Sequence, residues 1–316
     1  MTPRLHLGVN SCFAVKRWPE PERWLAIVAE DLRLDHCQVS LDLVDPLLDP
    51  AAAMAYAESV RRRAAQAGVT LHSTFSGLAG YSWSQLLHPD AAMRAAAARW
   101  YERAIEVTAR MGAEGAGGYL GAFSVGDAAD TARRTALLAE LAERLAALTV
   151  FARERGLRFL MGENMAVPRE FGHSIEEARA LTGMGSPRGV PLLLCLDIGH
   201  PCALKTGTRS DDYRAWLAEP WPRTPVLHLQ QTDRAGDRHW PFTPGHNAEG
   251  AVRAEAVLDA LRRWDDADVY LFLEVIHPFE ADDEAVLADL RASVSYWRAV
   301  LAAEQGSSPS LNASSS

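Results

Sequence analysis

At 316 residues and 48% hydrophobic content, the chain has material for one large α/β domain or two ordinary ones. A formal net charge of −9 argues against a surface built to neutralise the phosphates of nucleic acid, and four scattered cysteines (Cys12, Cys37, Cys195, Cys202) with no CxxC pair resemble neither a disulfide framework nor a zinc finger. The opening MTPRLHLGVN carries no leader pattern and no run of about 18 apolar residues occurs, so a cytoplasmic protein without a membrane partner is expected.

Strand and helix signals alternate along the chain. A strand over 5–10 precedes a helix near 20–32, 36–41 precedes 50–67, 69–75 precedes 90–111, and 115–120 precedes 127–155. The second half repeats the pattern, with strands at 157–163, 191–197, 225–230 and 269–275 and helices near 174–183, 210–218, 250–264 and 282–303. Gly68, Gly112 and Gly156 fall where helices should end in a left-handed residue. Eight βα units without a Pro/Ser-rich linker predict a single α/β domain over residues 1–303, a (β/α)8 TIM barrel. Residues 304–316, ending SSPSLNASSS, are small and polar and read as a disordered tail. A doubly wound sheet is the alternative, but GVNSCFAVKRW after the first strand offers no Gly-rich dinucleotide turn.

In such a barrel the chemistry sits where the strands end, so the closing residues carry the functional signal. Glu163, Asp197, His228 and Glu274 close or cap the runs LRFLMGE, PLLLCLD, PVLHL and VYLFLE. Three carboxylates and one imidazole at one end of a sheet need a positive partner, and an oxygen-rich set with one imidazole suits a single divalent ion, Mn²⁺, Mg²⁺ or Co²⁺. Taken singly, each has a structural reading as a helix cap or a partner for Arg. Asn10, His72, Thr74, Asn164, His200, Gln230 and Gln231 are further polar residues near strand ends. Lys16 and Arg17 follow the first strand and Arg234, Arg238 and His239 the seventh; turned inward, they would suit a phosphate or carboxylate, and turned outward they are solvated rim charges. Phe13, Trp18, Trp83, Trp240 and Phe242 are candidates for an apolar wall around a small substrate.

With these residues in view, the second half of the chain resembles the xylose-isomerase-like barrels, in particular the ketose 3-epimerases and their sugar-phosphate isomerase/epimerase relatives. The likeness rests on Glu163, on Asp197 with His200 in LDIGH, on His228 with Arg234 in HLQQTDR, and on Glu274 in FLEVIHP. It implies that Glu163, Asp197, His228 and Glu274 hold the metal, that Glu163 and Glu274 serve as acid and base around an enediolate, and that His200 and Arg234 grip substrate oxygens. Asn10, His72, Lys16 and Arg238 complete the substrate-binding candidates. One departure is visible: where free-ketose epimerases carry a Glu six residues past the first metal ligand, this chain has Arg169, with Glu170 next to it.

The expected activity is therefore isomerisation or epimerisation of a small ketose bearing a phosphate or carboxylate. Decarboxylation of an oxo sugar acid on the same site is the alternative, and a zinc phosphodiesterase recruiting His72, His173 and His246 is a third. The partners expected are a small sugar or sugar acid and, through apolar residues on outer helices, a second copy of the chain in a homodimer.

Overall fold

The computed structural model describes residues 3–221, 226–265 and 268–306, without the side chains of 304–306. Eight strands lie parallel and close into a barrel in chain order: β1 (Arg4–Asn10), β2 (His36–Ser40), β3 (Thr70–Phe75), β4 (Gly115–Gly118), β5 (Phe159–Glu163), β6 (Leu192–Asp197), β7 (Val226–Leu229) and β8 (Asp268–Leu273). Closure is made by β8 pairing with β1 from Arg4↔Asp268 to Val9↔Leu273. The architecture is the expected TIM barrel. Among the described residues no helix is long and apolar enough to cross a membrane.

The outer helices begin and end on local chemistry. Asp49, Asp90 and Asp130 cap the helices Pro50–Ala67, Ala91–Met111 and Thr131–Glu154 through their side chains, while Gly68 and Gly112 close the first two with φ of +68° and +77°. Three details differ from the sequence reading. The expected helix 127–155 is broken at Asp130, whose extended backbone ends Val125–Ala129 and caps Thr131–Glu154. The stretch 20–32 is a short helix, Pro21–Ala26, that widens into a π-turn over Ile27–Asp31. The last helix runs through Gly306, past the expected boundary at 303, and the rest of the expected tail, 307–316, lies outside the described residues.

Two hydrophobic layers fill the protein. The larger lies between strands and helices and includes Trp24, Trp216 and Trp297 at 0% exposure. The smaller plugs the barrel with Phe75, Phe159, Met161, Cys195, Val226 and Phe272. Because strand side chains alternate in direction, a residue two places beyond a plug residue also points inward, one layer higher. Glu163, Asp197, His228 and Glu274 follow Met161, Cys195, Val226 and Phe272 at that interval, so the plug is the floor on which they stand.

The mouth above them is tied down by one carboxylate. Asp42 accepts hydrogen bonds from the amides of Leu78 (2.8 Å) and Ala79 (2.7 Å), fastening the turn Gly77–Tyr81 after β3 to the loop after β2. Gly77 has φ +68°, and a Cβ there would stand 2.3 Å from Asp42 Oδ2. Replacing Gly77 with Ala is expected to cost on the order of 1–3 kcal/mol, read as a lowered midpoint in urea unfolding.

Candidate active site

Donor atoms of Glu163, Asp197, His228 and Glu274 all lie within 4.8 Å of one another, and the four residues are at most 6% exposed. His228 Nδ1 stands 3.0 Å from Glu163 Oε1 and 3.0 Å from Glu274 Oε2. One imidazole cannot neutralise three buried carboxylates, so this donor set fits a divalent cation in both charge and chemistry.

The imidazole is oriented for that role. His228 Nε2 donates to Gln38 Oε1 at 2.6 Å, which fixes the ring with Nδ1 facing the carboxylates. Gln38 is held in turn by Asn10 Nδ2 (2.7 Å) and by its own donation to Ser73 Oγ (3.2 Å). Asn10 also donates to Glu274 Oε1 at 3.2 Å. On the other side Asn164 clamps the end of β6, accepting from the Asp197 amide (2.7 Å) and donating to the Asp197 carbonyl (3.0 Å).

Burial pushes Glu163 up to about 7. Burial acts on Glu274 in the same sense, but His228, His239 and His200 outweigh it and hold that carboxyl below the usual range. His228 is raised: burial alone would lower it, and Cys195 and Glu274 prevail.

Beside the four-residue centre lies a second polar cluster, from the segments after β6 and β7. His200 Nδ1 donates to the Asn164 carbonyl (2.6 Å), turning Nε2 toward Asp237 Oδ2 (3.3 Å). His239 Nε2 stands 3.1 Å from the same Asp237 oxygen. Burial opposes charge on both imidazoles, yet the carboxylates around them raise His200 and bring His239 up to about 9.

A cavity of about 130 Å³ opens onto both groups. Its wall includes Glu163, Glu274, His200, Asp237, His239 and Asp42, with Phe75, Leu78, Tyr81, Tyr119, Met165 and Ile276 as the apolar part. None of the five aromatics expected to form that wall lines it; Phe242, for example, packs against Trp297 at 5.3 Å in the outer core.

Of the expected substrate contacts, only His200 lines the cavity. Asn10 is buried behind Glu274 and positions it. His72 lies deeper, against Tyr270 at 4.1 Å and Phe159 at 5.2 Å, where burial lowers it to about 3; it is a packing residue of the barrel floor. Arg238 is drawn outward by Asp233 (3.2 Å) and lies over Trp240. Lys16 sits over Phe279 at 4.1 Å, and Arg234 is exposed. Arg17 donates to the Pro278 carbonyl at 2.6 Å and pairs with Asp283, joining the loops after β1 and β8. His173 pairs with Glu177 and His246 with Thr243, so neither reaches the centre as a zinc phosphodiesterase would require. Glu170 is buried near Tyr81 while its neighbour Arg169 is exposed. The sequence reading missed Gln38, Asp237 and Asp42 altogether, and left His239 open between an inward anion-binding group and a rim charge; the DxH spacing of Asp237 and His239 was the one available signal for Asp237.

The profile of the xylose isomerase-like TIM barrel family matches residues 34–296, and the chain belongs to that family. It is 27% identical over 303 residues to the D-erythrulose 1-phosphate 3-epimerase of Brucella abortus (strain 2308), covering 93% of this chain and 95% of that one. A crystal structure from Rhodospirillum rubrum, provisionally described as a xylose isomerase, is 34% identical and superposes with a TM-score of 0.87, covering 94% of this chain and 99% of its own. The structure of an L-ribulose 3-epimerase shares the fold at 18% identity and a TM-score of 0.70, over 98% and 100% of the two chains.

Two measurements follow from this geometry. Gln38→Leu, which removes the acceptor for His228 Nε2, is expected to weaken Mn²⁺ binding by roughly 10–100-fold in equilibrium dialysis. Because Glu163 must be ionised and His228 unprotonated to hold a cation, Mn²⁺ affinity should fall as pH drops through about 7, with proton release visible by calorimetry in buffers of different ionisation enthalpy.

Proposed function

We propose that this chain is a divalent-metal-dependent 3-epimerase of a small ketose. The observation that carries the reading is the convergence of four buried donors beneath a sugar-sized cavity, with Glu163 and Glu274 both facing into it. The name of the Brucella abortus relative, which covers nearly the whole chain, supports a ketose phosphate as the substrate class.

Glu163, Asp197, His228 and Glu274 would hold one ion, which when bound polarises a ketose carbonyl and acidifies the neighbouring C–H. The residues of the chain divide the remaining work. One carboxylate takes the proton from C3, and the other returns a proton to the opposite face of the planar enediolate. Without an ion the two carboxyls already differ, burial raising Glu163 to about 7 and the surrounding imidazoles holding Glu274 down. His200 and His239 present imidazole groups to the substrate oxygens. The apolar wall from Phe75 to Ile276 keeps bulk water from the carbanionic carbon.

A phosphate would not sit deep in this cavity, whose wall contains Asp42 and Asp237 and neither Lys nor Arg. It would sit at the mouth, where Lys16, Arg169 and Arg234 lie on the loops after β1, β5 and β7. None of the three is ion-paired among the described residues.

In D₂O, turnover of a small ketose or its 1-phosphate should place deuterium at C3 of the product. Chelator should abolish activity and Mn²⁺ should restore it. Glu274→Gln should lower kcat by roughly 10²–10⁴-fold without unfolding the protein. Turnover that persists in excess chelator, or product free of deuterium at C3, would overturn the proposal.

A further inference from the structure

Gln230, fully buried after β7, occupies the centre of the second polar cluster. Its amide nitrogen lies 3.2 and 3.1 Å from the two oxygens of Asp197, 2.8 Å from Asp237 Oδ1 and 3.3 Å from His239 Nε2. The orientation of the amide is set by its other end, where Oε1 accepts the His239 backbone N–H at 2.7 Å. That bond holds His239 in a left-handed conformation, φ +47°, which returns its imidazole to the cavity. Room for the side chain comes from Gly199: a Cβ there would stand 2.5 Å from Gln230 Cδ.

The atoms around this nitrogen are those a cation would take. Asp197, His200 and His239 offer donor atoms within 4.8 Å of one another, and Asp237 bridges the two imidazoles at 3.3 and 3.1 Å. Two imidazoles and two carboxylates suit Zn²⁺ in number and type. An amide has two hydrogens, no positive charge and no means of leaving, so it can donate one bond to each of the two facing carboxylates while filling the space an ion would need.

We propose that Gln230 is a positioning residue that keeps this chain a single-ion protein. Its amide stands in for a second divalent cation in a latent site formed by Asp197, His200, Asp237 and His239. The inference rests on the single-ion reading above. It also gives Gln230 a function at the first centre, since its amide and the Gly199 and His200 amides together hold the Asp197 carboxylate in place.

The test is metal stoichiometry, which a purely structural role would not move. Full-length protein is dialysed at pH 8 against excess free Zn²⁺, passed over a desalting column, and assayed for zinc per chain. Wild type should retain one equivalent. Gln230→Glu, which keeps the acceptor for the His239 amide but replaces the donor with a ligand oxygen, should retain two, and Gln230→Ser should do the same by vacating the space. Adding Asp237→Asn to either variant should return the count to one. Circular dichroism melting separates a misfolded variant from a folded one, and the two substitutions fail independently. One equivalent in both folded variants, or two in wild type, would overturn the role given to Gln230. No zinc in wild type would instead remove the single-ion reading, and this inference with it.

Discussion

Three carboxylates and an imidazole, each at most 6% exposed, are assembled on the floor of one cavity, and the rest of the molecule is arranged around the cost of keeping them there. Like charges this close repel strongly in a medium that screens poorly, and a lone imidazole offsets only part of that repulsion. The compensation comes from neutral donors and oriented imidazoles. Asn10 faces Glu274, Asn164 and Gln230 hold Asp197, and Gln38 accepts a hydrogen bond from His228 Nε2 so that the other nitrogen faces the acids. Each of these neutral side chains adds a hydrogen bond without adding charge, so a donor set that fits a cation stays in place.

The packing beneath turns this chemistry into a fixed geometry. Phe272, Val226, Cys195 and Met161 fill the barrel one inward position below Glu274, His228, Asp197 and Glu163. Even a glycine contributes: the ring of Phe272 occupies the space where a Cβ on Gly8 would be, 2.6 Å away. A dense apolar floor resists rearrangement and keeps water from reaching the carboxylates from below. His72, packed against Tyr270 and held neutral by burial, belongs to this floor and not to the site above it.

Charge is sorted by depth. The cavity wall carries carboxylates and imidazoles, whereas Lys16, Arg169 and Arg234 stay on the loops at its rim. Arg238, drawn to Asp233, and Arg17, drawn to Asp283 and two carbonyls, have been taken up by the loops themselves. This separation keeps Lys and Arg from forming internal ion pairs with the buried carboxylates.

The barrel and its four central residues were legible in the linear chain because both depend on local rules. Alternation along a strand fixes which side chains face inward, helix periodicity marks the covering layer, and a polar residue ending an apolar run must come to rest at the rim. The supporting residues were not legible. Gln38 meets His228 across 190 positions, and Asp237 reaches His200 only because a loop after β7 doubles back. Nor could spacing alone say that Glu170 turns inward while Arg169 turns out, or that His72 lies in the floor. Those outcomes depend on where separate strand ends and loops meet once the barrel has closed. Sequence by itself determined which residues ring the centre; tertiary structure decided which way each points and what holds it, because a hydrogen bond requires two partners at one place and the chain order names only one at a time.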